Sequence, residues 1–120
     1  MLDAKDHRDD RPVEQRTREQ VEAMLASADA QQIAKALASA AYYDPDWRWV
    51  QGQCLFYLTH DDVEVRRSAA TCLGLLAVFH KKLDAAVVLP ALKNAAADSE
   101  VKAWADDSLA DIRLSLNLPE

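Results

Sequence analysis

The apolar residues of this chain recur three or four positions apart over successive stretches of about 12–18 residues, the spacing of a helix with one buried face. The stretch PVEQRTREQVEAMLAS predicts a first helix opening at Pro12, with Val21, Met24 and Leu25 on one stripe. Asp29 is placed to cap a second, DAQQIAKALASAAYY, whose apolar face holds Ile33, Leu37 and Ala41. Pro45 ends it, because the residue before a proline is pushed out of the helical region. A third helix is predicted from Asp44, with Pro45 in its first turn, to about Thr59. The fourth opens at Asp61 or Asp62 and runs to about His80, with Asp61 and Glu64 at capping-box spacing. Lys81 and Lys82 follow, where positive charge suits the carbonyl end of the dipole. The fifth starts at Asp84 and carries Pro90, which is expected to bend it. The sixth starts at Asp98, and Asn117 and Pro119 end it. Before all of these, residues 1–11 (MLDAKDHRDDR) are almost all charged and are expected to form a disordered arm.

Three of the predicted helices carry one recurring word, clearest over residues 44–58, 62–76 and 98–112. Asp44, Asp62 and Asp98 align, followed by Asp46, Glu64 and Glu100, then Trp47, Val65 and Val101, then Arg48, Arg66 and Lys102. Further along stand Cys54, Cys72 and Ser108, then Leu55, Leu73 and Leu109. The leading Asp caps a helix and the second acid sits in its positive first turn. The basic residue, four positions after the Asp, is expected to pair with it. One such unit cannot bury its apolar stripe alone, whereas stacked units can.

The run Asp62, Glu64, Val65, Arg66, Ala69, Ala70, Leu73, Gly74 resembles the DxEVRxxAAxxLG signature of the HEAT-repeat family in its bacterial form. VVLPALKNAAAD resembles that family's second helix, and the likeness extends over roughly residues 29–114. Gln51 and Gly52 depart from the small alanines the family places there. The resemblance implies an all-α fold: a short right-handed α-solenoid of about six helices, stacked as antiparallel pairs in one domain over residues 12–120. It implies a binding surface and no reaction.

Composition agrees with helix: half of the 120 residues are hydrophobic, with only two glycines and four prolines. The net charge of −6 suits a basic protein partner and matches a phosphate backbone poorly, so no nucleic-acid partner is expected. Cys54 and Cys72 lie in apolar helical stretches and are read as buried free thiols. No signal-like stretch or membrane-length apolar run is seen, and a cytoplasmic protein is expected.

Neither His7, His60 nor His80 stands at a metal-ligand spacing, and there is no phosphate-cradling glycine loop. No metal, cofactor or catalytic residue is therefore expected. Asp106, Asp107 and Asp111 read as a solvated acidic face. Four of the chain's eight aromatics fall in YYDPDWRW, residues 42–49. On a helical wheel Trp49 and Phe56 point away from Trp47, Val50, Cys54 and Leu58. They form either a second buried face or an exposed aromatic pair of the kind that anchors protein interfaces. The candidate binding residues are thus Asp46, Trp49, Phe56, Asp61, Asp106 and Asp107. The first expectation is a non-enzymatic scaffold or adaptor that binds another protein. The alternative is an immunity protein, resembling HEAT-like partners of bacterial toxins, that covers a basic nuclease's active site with carboxylates. A lyase or DNA-base-acting relative is the third.

Overall fold

A computed structural model describes residues 13–119. The predicted arm, residues 1–11, lies outside the described residues, as does Pro12. Among the described residues every regular element is helical: α1 (Arg18–Leu25), α2 (Ala30–Tyr43), α3 (Trp47–Tyr57), α4 (Val63–Leu75), α5 (Ala85–Ala95) and α6 (Lys102–Ser115). A π-helical turn, Leu76–His80, extends α4.

Four boundaries differ from expectation. The first helix begins at Arg18, well after Pro12, because Thr17 and Gln20 form a capping box: Thr17 accepts the Gln20 N–H at 3.1 Å and Gln20 accepts the Thr17 N–H at 2.9 Å. The chain before it is tied to α2 instead. The Arg16 N–H donates to Ser39 Oγ at 3.1 Å, and the Tyr43 hydroxyl donates to the Val13 carbonyl at 2.8 Å. The third helix is capped by Asp46, which accepts the Trp49 N–H at 3.2 Å, so Asp44 does not open it and Pro45 lies outside it. Asp44 closes α2, its N–H reaching the Ala40 carbonyl, and its carboxylate is occupied by Arg18. The fourth helix is capped by Asp62, not Asp61: Asp62 Oδ1 accepts the Glu64 N–H at 2.8 Å and the Val65 N–H at 3.3 Å.

The sixth helix starts at Lys102, after Val101, and not at Asp98, which forms a turn four residues earlier; elsewhere the expected signals hold. Asp29 Oδ1 accepts the Gln31 N–H at 2.9 Å. Asp98 makes the same turn with the Glu100 N–H at 2.9 Å, and its carbonyl accepts the Lys102 N–H, leading into α6. Asn117, at φ 62°, takes the left-handed conformation that ends α6. Asp84 precedes α5, holding it through its carbonyl while its own N–H donates to Gln51 Oε1 at 2.8 Å. That bond occupies the buried Gln51, the residue standing where alanine was expected.

Consecutive helices pack together as α1 with α2, α3 with α4 and α5 with α6, while α2, α4 and α6 lie side by side with α4 in the middle. Because α4 has neighbours on most sides, Val65, Ala69, Ala70, Cys72, Leu73 and Gly74 are all buried. Each fully buried Leu or Val of this core contributes about 1.5–3 kcal/mol of transfer free energy. Small residues let the row close up. Ser108 donates to the Ala70 carbonyl at 2.6 Å across α4–α6, and Ser68 to the Ala34 carbonyl at 3.2 Å across α2–α4.

The word's basic residue does not pair with its own Asp. Arg66 reaches the next unit instead, at 3.3 Å from Asp98 and 3.8 Å from Glu100, and also donates to the His60 and Asp61 carbonyls at 2.8 Å each. Arg18 does the same to Asp44 (2.8 Å) and Asp46 (3.5 Å). The long side chains span a helix layer, whereas pairing within one turn would leave the following unit's acids unmatched. Lys102 pairs forward with Asp106 at 2.9 Å.

Candidate protein interface

The six candidate residues fall in three separate places. Asp46 and Trp49 sit at the start of α3, joined by Arg18, whose guanidinium bonds Asp46 and lies 3.9 Å from the Trp49 ring centroid. Trp49 is half-buried, against the core and under that cation; Trp47, placed in a core slot by the repeat, is also only half-buried. Phe56 is 71% exposed and meets Tyr57 edge-on at 5.0 Å. Trp49 is thus partly covered and Phe56 exposed, so the two rings do not share one environment. Asp61 is exposed in the turn before α4, where its carbonyl holds Arg66. Asp106 and Asp107 are both exposed on α6 but point apart, since neighbours on a helix differ by about 100°. Asp106 is bonded to Lys102 on one side.

A second surface was not anticipated. Where α2, α4 and α6 lie in a row, they leave a groove of ≈ 320 Å³. Its floor is small, with Ala34 and Ala38 from α2 and Ser68 and Thr71 from α4. Aromatic rings stand on both sides. Tyr42 lines one wall and packs on Phe79 of the π-helical turn at 5.0 Å; Trp104 of α6 lines the other. Trp104 is 38% exposed, a large apolar area to leave in water. Arg67 stacks on Trp104 at 4.0 Å, donates to the Glu100 carbonyl at 2.7 Å and pairs with Glu64 at 3.3 Å. Asp107 and Asp111 follow Trp104 at i+3 and i+7 on the same side of α6, and neither makes an ion pair among the described residues. The spacing Trp104, Asp107, Asp111 was present in the sequence. What it lacked was the identity of the helix beside it.

Electrostatics elsewhere is structural. Burial opposes the charge on Asp44, but the Arg18 hydrogen bond and the Asp46 N–H outweigh it and hold its carboxyl below the usual carboxylate value. The same pairing raises Arg18. Cys54 and Cys72 are free thiols in the core; a hydrogen bond to Cys72 and burial push the Cys54 thiol well up, which makes it unreactive. His80 Nε2 lies 3.0 Å from the Ala41 carbonyl, a helix-end contact. Among the described residues no three His, Cys, Asp or Glu side chains are grouped to hold a metal, and no helix is long and apolar enough to cross a membrane. A second hollow of ≈ 290 Å³ has Leu58 and Val101 in its lining and the Arg66–Asp98 pair at its edge.

The chain is similar to a chain in the crystal structure of a CDI (contact-dependent inhibition) complex from Cupriavidus taiwanensis LMG 19424. The two share 30% sequence identity, the match covers 87% of this chain and 94% of that one, and the TM-score is 0.79. No family model and no curated protein matches the chain, so membership of the HEAT-repeat family gains no support from those comparisons.

Proposed function

This chain belongs to the same family as that component of the contact-dependent-inhibition complex, and we propose that it is an immunity protein: a non-enzymatic cytoplasmic module that binds a toxin domain and blocks it. The likeness over nearly the whole of both chains is the observation that carries the reading. The chain's own physics agrees with the inhibitor side of such a pair. Its net charge of −6 speeds encounter with a basic toxin surface and disfavours acidic competitors. We read the α2–α4–α6 row, backed by α1, α3 and α5, as a short right-handed solenoid of helix pairs that presents a rigid surface. A rigid partner loses little conformational entropy on binding, so more of the contact energy appears as affinity. A general scaffold role, the first expectation from the sequence, has no comparable support.

The test starts from the neighbouring gene: where it encodes a large secreted protein with a toxin-like C-terminal domain, that domain is co-expressed with this chain. Immunity predicts that cells expressing the domain survive only when this chain is present, and that the two proteins co-elute on gel filtration in moderate salt. Continued cell death with no complex refutes the reading. Growth arrest by this chain alone would place it on the toxin side.

A further inference from the structure

We propose that the toxin docks on the α2–α4–α6 groove and seats there a basic segment, with a Lys or Arg stem across Thr71 and Trp104 and its head at Asp107 and Asp111. The inference rests on the immunity reading and adds to it the surface and the chemistry of the partner.

Two of the competing surfaces are already matched within the chain, and the third, Phe56 with the Asp61 carboxylate, is exposed but lies outside any groove among the described residues. Asp46 is bonded to Arg18, and Trp49 is covered by it. At the hollow beside Leu58, Arg66 and Asp98 neutralise one another. Phe56 stands exposed on α3 with no unpaired carboxylate of its own helix turn beside it.

The groove differs on three counts. Three helices contribute most of it, with Val13 of the segment before α1 at one edge, so its shape is set mainly by the helix row. Its small floor and aromatic walls give depth and apolar area, which together desolvate an incoming side chain. The charges of its own lining, Glu64 and Arg67, pair with each other, and the unbalanced charge stands just beyond its Trp104 wall on α6. Arg67 is held by Glu64, the Glu100 carbonyl and the Trp104 ring, so its cation is already satisfied. Asp107 and Asp111 are not paired. A cation with an aliphatic stem matches both halves of this surface: the stem covers Thr71 and the Trp104 edge, and the head meets the carboxylates. Lys35, exposed on α2 in the neighbouring hollow with Val13 and Glu14, is the cation that opposes such a partner from the far edge.

Binding of the toxin domain that the co-expression test identifies, in an inactivated form, is measured by calorimetry at low and moderate salt. Wild type is compared with Asp107→Lys/Asp111→Lys, Thr71→Arg and Lys35→Glu, and with Phe56→Ala and Asp61→Lys for the rival surface. All six positions are exposed or half in solvent, and far-ultraviolet circular dichroism checks that each variant is folded. The expected result is a loss of at least about tenfold in affinity for the double reversal and for Thr71→Arg, with a weaker salt dependence for the former. Lys35→Glu is expected to bind more tightly at low salt, and the Phe56 and Asp61 variants to bind as wild type. Groove variants that bind within about threefold of wild type overturn the inference while leaving immunity standing. The same holds if Thr71→Arg only converts a dimer of this chain to a monomer. A wild-type chain that binds no toxin at all overturns the immunity reading, and this inference with it.

Discussion

Replacing Gly74 with alanine tests how tightly the row is packed. In most helices this change is favourable by about 1 kcal/mol, because alanine costs less backbone entropy. Here a Cβ on Gly74 would stand 2.6 Å from Ser108 Oγ, 3.0 Å from Ser108 Cβ and 3.1 Å from Ser108 Cα. The hydroxyl can rotate away, but only by giving up its 2.6 Å bond to the Ala70 carbonyl in a buried site. A displaced buried hydroxyl costs about 1–3 kcal/mol. The Cα belongs to the α6 backbone and cannot move without the helix, and overpacking of this kind costs about 1–3 kcal/mol. The two costs outweigh the propensity gain, leaving a net loss of roughly 1–5 kcal/mol. Urea unfolding followed by circular dichroism measures it. Ser108→Ala supplies the cycle: it removes the closest atom, so Gly74→Ala should cost less in that background, with a coupling of about 0.5–3 kcal/mol. If Gly74→Ala stabilises the protein, or if the two changes are additive, the helices are not in contact at this point and the packing argument fails.

Three further predictions concern the pairs that join the units. Asp44→Asn should cost roughly 0.5–1 kcal/mol at neutral pH, discounted for partial exposure. Because the folded carboxyl lies below its ordinary value of 3.8, that contribution is present above it and lost as pH falls through the lower folded value. The wild-type and variant stabilities should therefore converge in acid, and a gap that persists at about pH 2 would disprove the pairing. Arg66→Met should cost about 1–3 kcal/mol by urea unfolding, since it strips two carbonyls and two carboxylates of one donor. Trp49→Ala should cost about 1–3 kcal/mol, through lost burial and the Arg18 stack, while Phe56→Ala should stay within about 0.5 kcal/mol. Equal effects would mean that the two rings share one environment.

The helix caps were legible because capping is a local event. Asp29, Asp62 and Asp98 each bond an N–H two residues on, and that geometry needs nothing beyond its own turn. The start of α3 was misread for the complementary reason. Asp44 makes the same two-residue bond to the Asp46 N–H at 2.9 Å, so it looks like a cap, yet α2 uses it as an ending and Arg18 takes its carboxylate. The choice is made by a residue 26 positions away. Arg66 is the same case: four residues separate it from Asp62, but 32 separate it from the acid it binds. The row also explains why the word recurs unevenly. Asp62 caps α4 and Asp98 turns the chain just before α6, neighbouring members of the α2–α4–α6 row, and the member before them is opened by Asp29, not by Asp44. The copy at Asp44 belongs to the other layer.

The aromatic stretch YYDPDWRW misdirected the search for a site because it is dense in sequence and dispersed in space. Tyr43 anchors the chain at Val13 through its hydroxyl, Arg48 stacks on Trp47, and Arg18 covers Trp49. Tyr42 alone reaches the groove, and its ring neighbour there is Phe79, which the pattern placed at the end of another helix. Nothing local marks Phe79 or Trp104 as a surface residue: on a wheel each reads as one more apolar position on a helix. Their exposure follows from the small residues beside them. Ala70, Gly74 and Ser108 bring α4 and α6 so close that the next positions around each helix, Thr71 on one and Trp104 on the other, are turned outward to line the same hollow. The groove is thus a consequence of close packing in the row. A change that forces α4 and α6 apart, such as Gly74→Ala, should weaken toxin binding even though Gly74 is buried and touches no partner.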